Sequence, residues 1–370
     1  MSASARNSSL VQLFAALLCA GALTVVVGVK ITPAQADPAR AGAQADVAAM
    51  IARVQALPSN APAPLDAISL GQQLLVEQRY GEASALFAAL LAKWPRQPAA
   101  LYGAALSAFN LGRPAEAEPL ARTAAEIYTA RVGKSADAKS VSTEQRLRGA
   151  DALVLLAVVL GSRRADTEAL KTVQRAVALV PEHFDAQFTL GRALYGVGDS
   201  AGAVKAFRAA LKLKPDDSRA LFFLATALEG AGETEAAMNT YRELVRRQPD
   251  APHGHLGLGV LLIKRGGADT ARGIEELRAA VRIDPNQYEA QVTLGRALLM
   301  QKLPAESIEH LRIAAELAPA NPEPHYQLAL AYRRLGQNDK AVEETAIVKR
   351  IHEARRGEGT QTNNSPRPNQ

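Results

Sequence analysis

From about residue 64 to residue 355 the chain keeps one hydrophobic rhythm. Apolar or small residues fall at i, i+3, i+4 and i+7, Gly- or Asp-containing turns interrupt them, and Pro closes most cycles, though not the one from Pro98 to Arg131, which also lacks the aromatic. Phe184 to Asp217 carries the pattern most fully. It predicts a helix with Gln187, Leu190, Gly191 and Leu194 on one stripe, then a turn at Gly196-Val197-Gly198-Asp199-Ser200. A second helix follows with Ala203, Phe207, Ala210 and Leu211 on its stripe, and Pro215 ends it. Small residues at Gly191 and Ala203 let the two antiparallel helices approach closely, with Leu190, Leu194 and Phe207 filling the space around that contact. One such pair cannot bury its own apolar face, so it needs neighbours of the same kind.

The chain supplies them at a fixed step. Pro181, Pro215 and Pro249 fall 34 residues apart, Pro285 follows after 36, and Pro319 after another 34. The extra two residues lie in the turn Gly266-Gly267-Ala268-Asp269, outside the helices, where an insertion is cheap. The sequence T-L-G-R-A-L occurs twice, at Thr189–Leu194 and Thr293–Leu298. A helix–turn–helix of this period, with recurring Leu, Gly or Ala, small, aromatic, Ala and Pro slots, resembles the tetratricopeptide repeat family, in particular its exported bacterial members. The resemblance implies an all-α, right-handed solenoid of about eight repeats.

The expected layout is a leader at 1–36, a cap helix and linker at 37–63, and repeats 1 and 2 at 64–131. An insert at 132–149, repeats 3 to 8 at 150–355 and a disordered tail at 356–370 complete it. The cap helix is expected to start at Asp46 and to show Val47, Met50, Ile51 and Val54 on one face. The 132–149 segment, polar and broken by Gly133 and Ser135, reads as a functional loop or a spacer, with Ser142-Thr143-Glu144 able to start the next helix early. In the last repeat Thr345 replaces the aromatic, and Lys349, Arg350, Arg355 and Arg356 give the final helix a polar end suited to a terminal cap.

Composition narrows the function classes. Hydrophobic residues are 48% and aromatics 5%, as an Ala- and Leu-rich helical array requires. The net charge of +6 comes from 43 basic and 37 acidic residues that are interspersed, so no basic patch for nucleic acid is expected. At the N-terminus an uncharged run, Leu10 to Val29, lies between Arg6 and Lys30, and Ala34-Gln35-Ala36 offers a cleavage site before Asp37. Two readings stay open: a cleaved signal peptide delivering the chain to the periplasm, or an uncleaved anchor holding it to the inner membrane through residues 10–29. Cys19 is the single cysteine; Leu17-Leu18 before it does not suit lipidation, and its loss with the leader would exclude disulfide and thiolate chemistry.

No catalytic, cofactor or metal motif stands out. H-E-x-x-H, G-x-S-x-G, a P-loop and Cys pairs are absent. His253 and His255 point to different sides of a helix, and His255 holds the slot of Gln187 and Leu221, a packing position. Gly254-His255-Leu256-Gly257-Leu258-Gly259 has no strand before it and falls inside a helix. The expectation is therefore a non-enzyme with no cofactor and no metal.

What the resemblance implies is a binding groove lined by the first helix of each repeat at its second, fifth, ninth, twelfth and thirteenth slots. On this chain those slots give Asp185, Phe188, Arg192 and Tyr195 in one repeat, and Arg219, Phe222, Thr226 and Glu229 in the next. Further along they give His253, Leu256, Val260 and Lys264, then Glu289, Val292, Arg296 and Leu299, and finally Glu323, Tyr326, Leu330, Arg333 and Arg334; Tyr102 and Phe109 match earlier. Of these, Phe188, Arg192, Tyr195, Phe222, Lys264, Arg296, Tyr326 and Arg333 are the candidate partner-binding residues. Aromatics beside basic groups anchor peptides and carboxylates, so the expected partner is a protein segment of acidic character. The alternative is that the arginines are solvated and the aromatics pack on neighbouring repeats. The ninth slot holds Arg192, Thr226, Val260 and Arg296 and never Asn, so the family's carboxylate clamp for chaperone C-termini is not expected.

Overall fold

The computed structural model describes residues 38–58, 60–133 and 142–362. Among the described residues all regular structure is helical, in seventeen helices. They fall into two units, one ending at Asp216 and one beginning at Asp217. The leader, Leu10–Val29 included, lies outside the described residues, and no described helix is long and apolar enough to cross a membrane.

The first unit holds α1 (Pro38–Ala56), α2 (Leu65–Val76), α3 (Tyr80–Lys93), α4 (Pro98–Asn110) and α5 (Pro114–Gly133). It continues with α6 (Thr143–Ser162), α7 (Asp166–Leu179), α8 (Phe184–Gly196) and α9 (Ser200–Leu213). The second holds α10 (Ser218–Gly230), α11 (Thr234–Arg247), α12 (Pro252–Arg265), α13 (Asp269–Ile283), α14 (Tyr288–Met300), α15 (Pro304–Leu317), α16 (Pro322–Arg334) and α17 (Asn338–Thr362). Within each unit consecutive helices pack as pairs. The first helices of successive pairs also touch: α2 with α4, α4 with α6 and α6 with α8 in one unit, and α10, α12, α14 and α16 likewise in the other. Each unit thus has a layer of first helices, called A-helices below, and a layer of second helices.

Local chemistry explains the helix boundaries. Asp217 accepts a hydrogen bond from the Ala220 amide at 2.9 Å, Asp199 from Gly202 at 2.8 Å and Asn321 from Glu323 at 3.1 Å, each capping a helix N-terminus. Pro98, Pro252, Pro304 and Pro322 occupy first helical positions, where a missing N–H is harmless. The turn between paired helices needs one left-handed residue. Gly112, Gly198, Gly232 and Gly336 serve there, but Gln78, Arg164 and Lys302 hold the same conformation with side chains attached (φ 59°, 61° and 61°).

Packing follows a size exchange across most pairs, the Pro98 and Pro322 repeats, with Ala121 and Thr345 at slot 24, excepted. The eighth slot of the A-helix is small, and slot 24 of the second helix, counted without the two inserted turn residues in the Pro252 repeat, is large. A Cβ on Gly191 would come within 2.6 Å of the Phe207 ring, and one on Gly295 within 2.6 Å of Leu311. Phe87 fills the space left by both Gly71 of its own repeat and Gly103 of the next, and Tyr241 uses Gly257 in the same way. These large residues are almost fully buried, each worth roughly 1.5–3 kcal/mol relative to exposure.

Three boundaries differ from expectation. The cap helix starts at Pro38, so Asp46 lies inside α1 rather than at its N-terminus; the Ala-rich run before it is already a good helix former. Val47 and Val54 bury into the first core cluster, and the linker is held by Trp94 Nε1, which donates to the Ala61 carbonyl at 2.7 Å. The insert is shorter than 132–149. α5 runs to Gly133, and α6 begins at Thr143 behind a capping box in which Ser142 and Gln145 bond each other's backbone amides. The remainder of the insert lies outside the described residues. At the other end α17 continues to Thr362 through residues assigned to the tail, since extending a formed helix adds a hydrogen bond per residue fixed. The rest of the tail is also outside the described residues.

Candidate functional site

In the first unit the candidate residues come from α8. Phe188 is not on the surface as expected: it is 8% exposed, stacked on Phe184 at 5.9 Å and edge-on to Phe207 at 5.8 Å. The fifth slot is a packing slot, so its ring contributes to the core. Leu256 and Val292, at the same slot in other repeats, are buried too, and so is Leu299 at the twelfth. Arg192 and Tyr195 are half-buried, as are Tyr102 and Phe109 on α4, which pack against the adjoining core cluster. Burial, with Asp151 and Asp185 nearby, pushes the Tyr102 phenol well above its ordinary pKa.

The start of α8 holds a polar relay. His183 Nδ1 accepts from the Ala186 amide at 3.2 Å, and Nε2 lies 2.9 Å from Asp151 Oδ1 on α6. Its pKa is raised, chiefly by the Asp151 hydrogen bond, against the effect of burial. Lys214 lies over the Phe184 ring at 4.3 Å.

In the second unit Phe222 is half-buried, edge-on to Phe223 at 5.4 Å and to His253 on α12 at 5.7 Å. Burial lowers the His253 pKa, while Asp284 and Glu289 oppose the shift. Thr226 Oγ1 lies 3.2 Å from the Tyr241 hydroxyl. Burial raises the Glu229 pKa, and Lys264 on the neighbouring α12 partly offsets it. Lys264, Arg296 and Arg333 are exposed on successive A-helices. Arg296 makes only a loose pair with Glu323 at 3.5 Å, and Arg333 reaches Thr345 Oγ1 at 3.5 Å. Arg334 is tied differently, donating to the Leu299 carbonyl. Tyr326 is 63% exposed, since no further repeat covers its fifth slot among the described residues. The structure therefore gathers Lys264, Arg296, Tyr326 and Arg333 on one face. Arg192 and Arg296 share a slot but belong to different units.

Sequence reasoning missed a set of partly buried polar locks. At the fourth A-helix slot, His255 Nδ1 lies 2.6 Å from Glu276, Gln291 Oε1 lies 2.8 Å from His310 Nδ1, and His325 Nδ1 lies 2.6 Å from Glu344. The partner always comes from slot 23 of the same repeat. Gln187, His255 and Gln291 also reach the carbonyl of the proline six residues earlier, at 2.9, 3.0 and 2.8 Å. The signal was a polar residue four places into a repeat with a second one 19 to 21 residues later. Both His255 ring nitrogens are thus engaged, and among the described residues no three metal-ligating side chains cluster.

Tetratricopeptide repeat models match residues 68–132, 188–252, 224–272 and 262–322, and a further such model matches 322–344. Together they cover more than half of the chain. Curated protein sequences contain no match. Among solved structures, pilF of Pseudomonas aeruginosa aligns at 17% identity and TM-score 0.50, over 56% of this chain and 93% of its own. The Cut9 and Hcn1 hetero-tetramer of the APC/C gives 15% identity and TM-score 0.50, over 77% of this chain and 52% of that one. YrrB, titled a TPR protein with an unusual peptide-binding site, gives 17% identity and TM-score 0.42, over 54% and 96%. At these identities the likeness concerns the fold alone. The repeat period, the paired helices and the matched models have one conclusion: the chain belongs to the tetratricopeptide repeat family.

Proposed function

We propose that the chain is a non-catalytic scaffold of the cell envelope, exported to the periplasm, that holds a protein or peptide segment on its A-helix face and supports assembly of an envelope or secretion complex. Tetratricopeptide repeat scaffolds are typical of protein–protein interaction. The observation that carries the reading is the exposed row Lys264, Arg296 and Arg333 with Tyr326 beside it on adjacent A-helices. Cations whose nearest acids are loosely paired, next to an exposed ring, suit an acidic segment. Nothing in the row suits nucleic acid, whose backbone needs a denser cationic stripe.

Charge reversal tests it. Arg296→Glu combined with Arg333→Glu should abolish capture of the partner from envelope extract, identified by mass spectrometry, with helical content unchanged. Undiminished capture would remove these side chains from partner recognition. The uncharged Leu10–Val29 run favours a second reading, a membrane-anchored structural subunit that supplies spacing and no ligand face. N-terminal sequencing of the mature chain separates the two, since a start at Asp37 eliminates the anchor.

A further inference from the structure

The two most exposed large apolar side chains among the described residues belong to one helix. Leu65 is 77% exposed and Val76 84%, at the two ends of α2. Their spacing along the sequence puts them on the same side of the helix, about three turns and about 16 Å apart. Ser69 and Gln72 complete that stripe, both exposed, and no charge interrupts it. Ala67, Ile68, Gly71 and Leu74 form the buried side. The other repeats lack this pair. Their second slot carries Ala, an acid, Arg or His, and their thirteenth slot holds no other branched aliphatic side chain.

The repeat order explains why the stripe is bare. The sixth slot is where an A-helix meets the repeat before it: Gly103 lies against Phe87, and Gly257 against Tyr241. Ser69 holds that slot in α2, the first A-helix, while α1 lies against α3 in the second-helix layer. The stripe is also self-complementary. Leu65 and Val76, and likewise Ser69 and Gln72, stand at equal distances either side of a point between Leu70 and Gly71. A second α2 laid antiparallel about a two-fold axis through that point sets each Leu65 on a Val76 and each Ser69 beside a Gln72. The same register brings Glu77, at the C-terminal cap of one helix, to the N-terminal end of the other, where the helix dipole favours an acid. Asp66, the acid already there, is paired with Arg53 at 2.5 Å. Head-to-tail stacking lacks this fit. It would set Ser69 against slot 24 of the last repeat, where Thr345 replaces the large residue.

We propose that α2 is the contact helix of a homodimer, in which two copies of the chain meet antiparallel through Leu65, Ser69, Gln72 and Val76. An uncharged centre with charges at its rim is the layout of a protein interface. A single helix pair buries less than the roughly 1,200–2,000 Å² of a standard interface, so the dimer exchanges with monomer and forms as concentration rises. The contact uses none of the second unit's cations and does not depend on the partner face proposed above.

Light scattering of the full chain from about 1 to 100 µM is the test, and the expected result is a monomer–dimer equilibrium with Kd on the order of 10 µM. Leu65→Asp and Val76→Lys each place a charge that suits its helix end, so circular dichroism should show an intact fold. Each variant alone should dimerise at least about tenfold more weakly. Mixed in equal amounts, the two should dimerise again: the new carboxylate faces the new ammonium, and the other end keeps its Leu65–Val76 contact. A helix merely damaged by substitution gives no such recovery. A parent that stays monomeric over the whole range overturns the proposal, as does a single variant that dimerises like the parent or a mixture that fails to recover. Masses that grow past the dimer and collapse with Val342→Asp, at an exposed position of α17, identify head-to-tail stacking and overturn it as well.

Discussion

Gly191 lies against the Phe207 ring and Gly161 against open space, so the same substitution at the two should have opposite signs. Gly191→Ala forces the ring or the helix to move and is expected to destabilise the first unit by about 1–3 kcal/mol. Gly161→Ala should stabilise it by roughly 0.5–1 kcal/mol through helix propensity alone. Urea unfolding midpoints check both. A third change at this scale concerns Arg164, held at φ 61° in a turn where neighbouring repeats use glycine. Arg164→Gly should raise stability by about 1 kcal/mol, and Lys302→Gly should do the same in the second unit. The Gly191 contact was legible from its stripe position. Gly161 was not, because emptiness above a helix depends on what the adjacent repeats place beside it.

At the scale of the helix pair, the fourth-slot locks have a pH signature. His310 donates to Gln291, whose amide in turn donates to the Pro285 carbonyl. Burial lowers the His310 pKa; Glu309 and Glu306 oppose this and Arg278 reinforces it. A histidine depressed in the folded state binds fewer protons there than in the unfolded chain. Its share of stability is therefore present above the unfolded value near 6.5 and is lost as pH falls below it. His183 works in reverse: its raised pKa gives stability that is complete below about 6.5 and fades as pH rises through the folded value. His310→Gln should accordingly reduce the loss of second-unit stability between pH 7 and 5.5, followed by urea titration at each pH. His255→Ala leaves Glu276 and the Pro249 carbonyl without their partner and should cost about 1–3 kcal/mol. Periodicity exposed the helices and their prolines, but these pairs join residues about twenty positions apart with differing identities, which no hydrophobic stripe records. The start of α6 was partly legible, since Ser142 followed by Gln145 is a capping signature; the start of α1 was obscured by alanines that need no cap.

At the scale of the whole molecule, successive repeats within each unit lie against one another, and that dependence decides which candidate residues are accessible. Slots named from the family pattern placed Phe188, Leu256 and Val292 in the groove, but all three are buried, Phe188 against Phe184 and Phe207 of its own repeat. The arginines and Lys264 were easier to place, since long charged side chains keep their heads in water. The same dependence governs truncation. Ending the chain after Asn321 removes α16 and α17 and uncovers Val292, Leu299 and Leu311, which pack with Leu328 and Tyr332 in one cluster. The shortened chain should bind a hydrophobic dye and lose solubility, whereas removal of residues 363–370 should do neither.

Because His255 and Gln291 bond both to the second helix of their own repeat and to the proline carbonyl that closes the repeat before, each resists the opening of its hairpin and the separation of that hairpin from the preceding one. Pulled from the C-terminus, α16 and α17 would give way first, having a neighbour on one side only among the described residues, and the remaining hairpins would follow singly. Each would release about 34 residues, or roughly 110–120 Å of slack, so a stretched molecule should lengthen in equal steps. The polar pairs would then act as shear pins that set the force of each step, and His255→Ala should lower one step while leaving the others unchanged.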